Sequence, residues 1–274
     1  MFPKIYYLLA FIIGTCIGSF LNVVIYRFQK NVSIITPRSY CPKCKSKLTW
    51  KENIPLISYL IQRRKCLHCN KSISFRYPLV EFLTGIFFII FINSSPSFLI
   101  SNSNLFLNLF FNWIFLSLLI CIALIDIDSF WIPQGLINFG FFSGIFGLIF
   151  IGLFDNRYID LYLISKGLFT SLAAFFIFES FRYLAKYIFK KDAIGRGDSK
   201  LVAMLALWLG PIGTLFAVGI SYIFAAIFCL LGLSLNLVRY GQVIPFAPFL
   251  SLGGLITWFV GNEFIFEKIL LIYG

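Results

Sequence analysis

The stretch Gly195-Arg196-Gly197-Asp198-Ser199-Lys200 runs directly into Leu201-Val202-Ala203-Met204-Leu205-Ala206-Leu207-Trp208-Leu209, so a carboxylate stands where a charged turn gives way to an unbroken apolar run. An ionisable group at such a boundary is costly, and its presence points to function. The glycines flanking Arg196 carry no Cβ, which leaves room for an extended peptide to lie close to Asp198. A second acid in a matching place would make a proteolytic pair. Asp126 stands there, closing the apolar run 113–125.

Hydrophobic residues make up 59% of the 274-residue chain and charged residues 12%, against about 25% charged in ordinary soluble domains. Most of the surface must face lipid, and the expected fold is an all-α polytopic membrane protein. Apolar stretches near the ~20 residues that cross a bilayer lie at 6–26, 78–93, 105–125, 133–154, 161–178, 214–238 and 245–260. Residues 201–213 are apolar but short, as in a tilted or thinned-membrane span or a re-entrant piece held by its neighbours. Counting them gives about eight transmembrane helices. The first run is long and lacks a small-residue cleavage pattern, so it reads as a retained span.

The net charge of +12 is concentrated, because residues 27–76 hold twelve Lys and Arg against one acid, Glu52. Basic loops stay cytoplasmic, so this block is expected inside, facing membrane lipid rather than nucleic acid, with the N-terminus outside. The same alternation puts the loops 93–104 and 155–160 outside and 186–200 inside. Three regions follow: a first span at 1–27, a cytoplasmic insert at 28–77, and a transmembrane domain at 78–274.

The insert contains Cys41-Pro42-Lys43-Cys44 and Cys66-Leu67-His68-Cys69, two C-x2-C pairs with twenty-one residues between them. Four thiolates from two such turns make a closed tetrahedral zinc site with no open position for water, which marks the metal as structural. Reducing cytoplasm argues against disulfides. A piece near fifty residues has little core of its own, and metal binding supplies the deficit. His68, between two ligands, reads as part of the turn. Cys16, Cys121 and Cys229 lie in apolar runs and read as small core residues.

Other polar groups near the membrane have plain structural readings. Gly14 and Gly18 form a small-xxx-small pair for helix packing, and Asn22 is placed for a helix-to-helix hydrogen bond. Arg27 would close the first span by snorkelling. Glu81, near the cytoplasmic end of the second span, could reach water or pair with a base such as Arg76, and a functional role stands equally beside that structural one. Glu179 and Arg182, spaced i,i+3, can neutralise each other.

Asp126 and Asp198 are separated by two complete spans, which returns the chain to the same side of the membrane. Two carboxylates brought together share one proton, so one can accept from a water while the other donates to a peptide carbonyl, the chemistry of aspartic proteases. Asp128 is the rival for the first acid, but two residues turn it to a different helix face. From residue types alone two other readings stand beside the protease. Asp198 with Ser199 could simply cap a helix, or the chain could be a zinc-bearing assembly factor or ion-coupled transporter, although transporter acids sit nearer mid-membrane.

At these residues the chain resembles the prepilin leader peptidases, the type IV leader peptidase and N-methyltransferase family. The likeness includes Gly18-Ser19-Phe20-Leu21-Asn22 and Arg27, both cysteine pairs, Asn53-Ile54-Pro55-Leu56-Ile57-Ser58 and Arg76-Tyr77-Pro78-Leu79-Val80-Glu81. It continues through Asp126-Ile127-Asp128 with Pro133, through Gly195-x-Gly197-Asp198-x-Lys200, and through Ile244-Pro245-Phe246-Ala247-Pro248-Phe249. The resemblance implies cleavage of the basic leader from type IV prepilins or type II secretion pseudopilins at the cytoplasmic face of the bacterial inner membrane. It also implies N-methylation of the new terminus with S-adenosylmethionine. Carried across by position, Asp126 and Asp198 are the catalytic acids, Asp128 has at most a supporting role, and Cys41, Cys44, Cys66 and Cys69 are the zinc ligands. The chain departs from the pattern at Gln134, where an Asp is common, and at Arg64, where a glycine associated with methyl transfer is usual. The proline expected soon after Arg27 is also missing.

Overall fold

The apolar runs become helices in the computed structural model, which describes residues 4–93, 105–155, 161–190 and 195–261. In order these are α1 (Lys4–Lys30), a short α2 (Ile57–Ile61), α3 (Arg76–Asn93), α4 (Leu105–Ser129), α5 (Gln134–Asp155), α6 (Leu161–Phe189), α7 (Arg196–Ser234) and α8 (Ala247–Val260). Four of them are long and apolar enough to cross a membrane: α1, α6, α7 and residues Leu109–Ser129 of α4. Among the described residues there is no strand, and the only bridges are two isolated pairs, Tyr40 with Lys47 and Lys65 with Ser72. The protein is an all-helical, multi-pass membrane protein. The loops 94–104 and 156–160, expected outside the membrane, lie beyond the described residues, as do 191–194 of the loop before Gly195.

The chain divides into two units, Met1–Ser94 and Ser95–Gly274. In the first, α1 packs on α3 through the small residues seen in the sequence. A Cβ at Gly14 would lie 2.8 Å from the Cα of Gly85, and one at Gly18 would lie 2.7 Å from the Cα of Glu81. Backbones this close gain dispersion contacts that lipid cannot supply. The expected helix-to-helix bond is present, with Asn22 Nδ2 donating to the Tyr77 carbonyl at 3.0 Å. Arg27 differs from its expected role. It is buried, and it donates to the carbonyls of Ser33 at 2.9 Å, Ile34 at 2.8 Å and Pro37 at 2.5 Å. The backbone leaving α1 turns its acceptors onto the guanidinium, so the side chain pins the start of the insert. Cys121 is buried as expected, but Cys16 is exposed on α1 and is no core residue.

In the second unit, α7 is the central element. Its first half is buried without interruption from Leu201 to Gly210. At Gly210 the chain takes φ 71°, and Pro211 follows. Proline cannot supply the helical N–H, and a left-handed glycine absorbs the break, so α7 is two helices joined by a kink. This explains the short run 201–213. Its thirteen residues, at about 1.5 Å each, fall short of a bilayer, and from Leu201 to Gly210 the chain is buried in protein.

Polar links fasten this buried segment to its neighbours. Ser171 of α6 donates to the Ala203 carbonyl at 2.8 Å. Trp208 Nε1 donates to the Gly140 carbonyl of α5 at 2.9 Å, and Trp258 Nε1 of α8 donates to Asn112 Oδ1 of α4 at 3.2 Å. Phe115 stacks on Trp208 with centroids at 4.9 Å and lies tilted 4.7 Å from Trp258, and the two indoles meet edge-on at 5.8 Å, so the three rings form one cluster. Such rings carry large contact area and a single donor each. The result is a packed frame around the buried segment that follows Asp198.

Candidate active site and metal centre

Asp126 lies in the last turn of α4. The chain leaves that helix through Phe130, whose N–H donates to the Asp126 carbonyl at 2.9 Å, and runs by Ile132 to Pro133. Gly197 explains the next contact, because a Cβ there would sit 3.1 Å from Ile132 Cβ. The linker after Asp126 therefore rests directly on the turn that carries Asp198. Gly195 serves differently. Its φ is −71°, so it needs no left-handed freedom, but a Cβ would lie 3.0 Å from Asp198 Oδ2. The two glycines make room for Ile132 and for the aspartate itself.

Both acids are buried, at the ends of α4 and α7 that the Ile132–Gly197 contact brings together. Each keeps one backbone donor. Asp198 Oδ2 accepts from Gly195 N at 3.2 Å, which is the helix-capping contact weighed as an alternative. Capping and juxtaposition with Asp126 coexist. Asp126 Oδ2 accepts from Ala247 N at 3.1 Å. Ala247 opens α8, where helical N–H groups lack intrahelical partners and favour a carboxylate. Sequence reasoning missed this donor, although prolines on both sides of Ala247 mark the helix start. Asp128 is exposed, as its two-residue offset requires.

A second layer orients the Asp198 turn. Ser199 Oγ donates to Glu179 Oε2 at 3.0 Å, and Arg182 donates to Glu179 Oε1 at 2.5 Å, so the expected α6 ion pair also holds α7. Lys200 Nζ donates to Gln134 Oε1 at 2.5 Å. Gln134, at the position where the resemblance expects an Asp, supplies the acceptor that bridges the two motifs. Tyr222, from the second half of α7, packs on Phe246 with ring centroids at 5.1 Å. The arrangement keeps each acid from rotating away through its own backbone donor.

The metal centre belongs to the first unit. The four Sγ atoms of Cys41, Cys44, Cys66 and Cys69 all lie within 4.8 Å of one another. A tetrahedral zinc with ~2.3 Å bonds to sulfur needs its ligands about 3.8 Å apart, so the residues fit the ion with small adjustments and the cluster can hold zinc. The two turns repeat one another. Cys41 N donates to Ser46 O at 2.9 Å and Lys45 N to Cys41 O at 2.8 Å, while Cys66 N donates to Lys71 O at 3.0 Å and Asn70 N to Cys66 O at 2.9 Å. Lys45 at φ 58° and Asn70 at φ 54° occupy the same left-handed position. Hydrogen bonds from Ser46 pull the Cys44 thiol down to about 6, and the backbone N–H groups of Cys69 and His68 hold Cys66 below the usual thiol range. Such donors favour the thiolate that a metal requires. His68 Nε2 stands 3.4 Å from Glu52 Oε1, so it ties the second turn to the buried Glu52. Glu52 also accepts from Thr49 N at 2.8 Å and Thr49 Oγ1 at 2.7 Å, which holds its carboxyl below the ordinary value.

Glu81 does not take Arg76 as the partner its position suggested. Its Oε2 accepts from Leu56 N at 2.8 Å. Leu56 has φ 60° and ψ −50°, and Ile57 N donates back to Pro55 O at 2.6 Å, a strained three-residue turn. Arg64 has φ 63°, so the position where a glycine is usual does adopt the conformation that favours one.

Comparison with known proteins bears on both units. Residues 12–94 match the model of the bacterial peptidase A24 N-terminal domain, and residues 113–230 match that of the type IV leader peptidase family. The chain is 32% identical over 279 residues to the type 4 prepilin-like proteins leader peptide-processing enzyme of Escherichia coli, covering 93% of this chain and 94% of that one. It is 30% identical over 295 residues to the prepilin leader peptidase/N-methyltransferase of Legionella pneumophila, covering 96% and 94%. With the protein of the same name from Myxococcus xanthus the identity is 35% over 216 residues, covering 76% of this chain and 57% of that one. No solved structure matches.

Proposed function

The chain belongs to the type IV leader peptidase family, and from that premise we propose that it is an aspartic endopeptidase that removes the leader from prepilins or pseudopilins with Asp126 and Asp198, then methylates the new terminus. What supports the peptidase reading is a pair of buried carboxylates at the ends of α4 and α7 that the Ile132–Gly197 contact joins, each oriented by a backbone N–H. In the hydrolytic step one carboxylate takes a proton from a bound water as that oxygen attacks the scissile carbonyl carbon. The other, protonated, donates to the carbonyl oxygen. Collapse of the tetrahedral adduct breaks the C–N bond and passes a proton to the departing amine.

The same reading places the insert and both acids at the cytoplasmic face of the inner membrane, with the N-terminus outside. Support comes from the twelve basic residues between 27 and 76 and from the two helices, α5 and α6, that separate the acids. A prepilin presents a basic leader in water and an apolar helix in lipid, and the junction between them falls at that boundary. Along the chain the division is a first span at 1–27, a zinc-binding insert at 28–77 with Cys41, Cys44, Cys66 and Cys69 as ligands of a structural zinc, and the peptidase domain at 78–274. S-adenosylmethionine would supply an activated methyl group.

The test is incubation of the purified protein, in detergent and with S-adenosylmethionine, with a purified prepilin. Mass spectrometry should find the shortened pilin carrying one added methyl group. Intact prepilin would remove the peptidase reading and leave an assembly factor or transporter; a shortened, unmethylated product would remove the transferase half alone.

A further inference from the structure

The first unit encloses a cavity of about 180 Å³ where the ends of α1 and α3 meet the insert. Its wall is unusual for its place in a basic segment. Two glutamates, Glu52 and Glu81, line it together with four tyrosines, Tyr26, Tyr40, Tyr59 and Tyr77. Both glutamates are buried. Arg27 is the one cationic side chain in the lining, and three carbonyl oxygens already engage its guanidinium. Glu52 Oε1 is buried, and His68 Nε2 stands 3.4 Å from it. Glu81 also holds the strained Pro55-Leu56-Ile57 turn, and strain of this kind accumulates at ligand sites. The turn leads into Ser58, Tyr59 and Gln62, which face the cavity.

Aromatic faces together with buried carboxylates select an organic cation, since ring quadrupoles and negative charge both attract a desolvated positive centre. A sulfonium is such a centre. We propose that this cavity is the methyl-donor pocket, receiving the sulfonium-bearing end of S-adenosylmethionine between the tyrosine rings and the two glutamates. This rests on the transferase half of the function given above. The volume is below the ~300–1,000 Å³ of pockets that enclose a whole drug-sized ligand, so one end of the donor enters and the nucleoside lies toward the mouth. Arg64 is not in the lining, and its presence in place of glycine leaves the cavity clear.

The new pilin N-terminus is also a cation, so the experiment separates the two sources. Full-length, zinc-loaded protein in detergent is dialysed to equilibrium against labelled S-adenosylmethionine, against the uncharged thioether S-adenosylhomocysteine, and against a peptide beginning with phenylalanine. The donor should bind the wild type. Glu81→Gln, which keeps an acceptor for Leu56 N, and Tyr59→Leu should each weaken it at least about tenfold, roughly the 1.4 kcal/mol of one cation-binding contact. Binding of the thioether should fall less than threefold in Glu81→Gln. Zinc content and leader cleavage should stay within twofold, which excludes misfolding. Ultraviolet cross-linking should place the label on the tyrosines named. Donor binding unchanged in both variants, or label found only outside these tyrosines, would overturn the pocket even if the product is methylated. A peptide that occupies the cavity while the donor binds elsewhere would reassign it to the methyl acceptor and overturn the proposal. Unmethylated product and no donor binding by the wild type would instead defeat the transferase reading on which the pocket depends.

Discussion

Replacing Gly253 by alanine should damage the peptidase without touching either acid. Gly253 lies on α8, and a Cβ there would press into the Ala217 carbonyl oxygen and Ser221 Oγ of α7 and lie 3.1 Å from the Ala217 carbonyl carbon. Ser221 is fixed, since its hydroxyl donates back to Ala217 O at 2.5 Å, and Ala217 and Ser221 are both buried. Backbone cannot rotate aside as a side chain can, so α8 must shift. The cost of such overpacking is about 1–3 kcal/mol, partly offset by the helix propensity that alanine gains over glycine, ~1 kcal/mol. α8 begins at Ala247, whose N–H lies 3.1 Å from Asp126 Oδ2, so the shift reaches the acid. A displacement near 1 Å in a catalytic group costs on the order of 10²-fold. Gly219 supplies the control, because nothing lies within 4 Å of a Cβ built there and Gly219→Ala should be neutral or slightly stabilising. The assay is kcat/KM for leader removal alongside thermal unfolding in detergent. Equal behaviour of the two variants would refute the claim that α8 positions Asp126.

Further outcomes concern the insert. The purified protein should hold one zinc per chain by elemental analysis, and replacing Cys41 and Cys44 with serine should abolish it and open the insert to proteolysis; metal retained by that variant would contradict the four-thiolate site. Arg64→Gly should raise the stability of the insert by about 1 kcal/mol by relieving a left-handed non-glycine residue, seen as a higher unfolding midpoint, whereas Arg64→Val should lower it. Because Thr49 holds the Glu52 carboxyl below its ordinary value, the bond contributes stability that is present above the unfolded carboxylate pKa, ~4.3, and is lost as pH falls through the lower folded one. Glu52→Gln should therefore lose less stability than wild type between pH 6 and 3 when unfolding is followed across that range; parallel losses would contradict it.

The parts legible in the sequence were those carried by side-chain type and spacing. Apolar runs gave the long helices, and the two C-x2-C pairs gave the sulfur cluster. Backbone contributions left little trace. The Ala247 N–H that orients Asp126 has no side-chain signature, and the three carbonyls around Arg27 could come from any residue types. Hydrophobicity does not distinguish lipid from protein as a neighbour, which is why the run at 201–213 stayed ambiguous until its burial from Leu201 to Gly210 was seen. For the same reason Cys16, exposed on α1, was indistinguishable from a core cysteine. Gly195 and Gly197 announced close packing but not what fills the space, because that depends on Ile132, more than sixty residues earlier.

The central claim, that Asp126 and Asp198 divide one hydrolytic job, is tested most directly by the rate of leader removal in Asp126→Asn, Asp198→Asn and Asp128→Asn, each purified and shown to retain zinc and its unfolding midpoint. Loss of a general acid or base predicts a fall of about 10²–10⁴-fold in each of the first two and a change of a few-fold in the exposed third. Wild-type rates with either Asp126→Asn or Asp198→Asn, or a collapse in Asp128→Asn alone, would contradict the account.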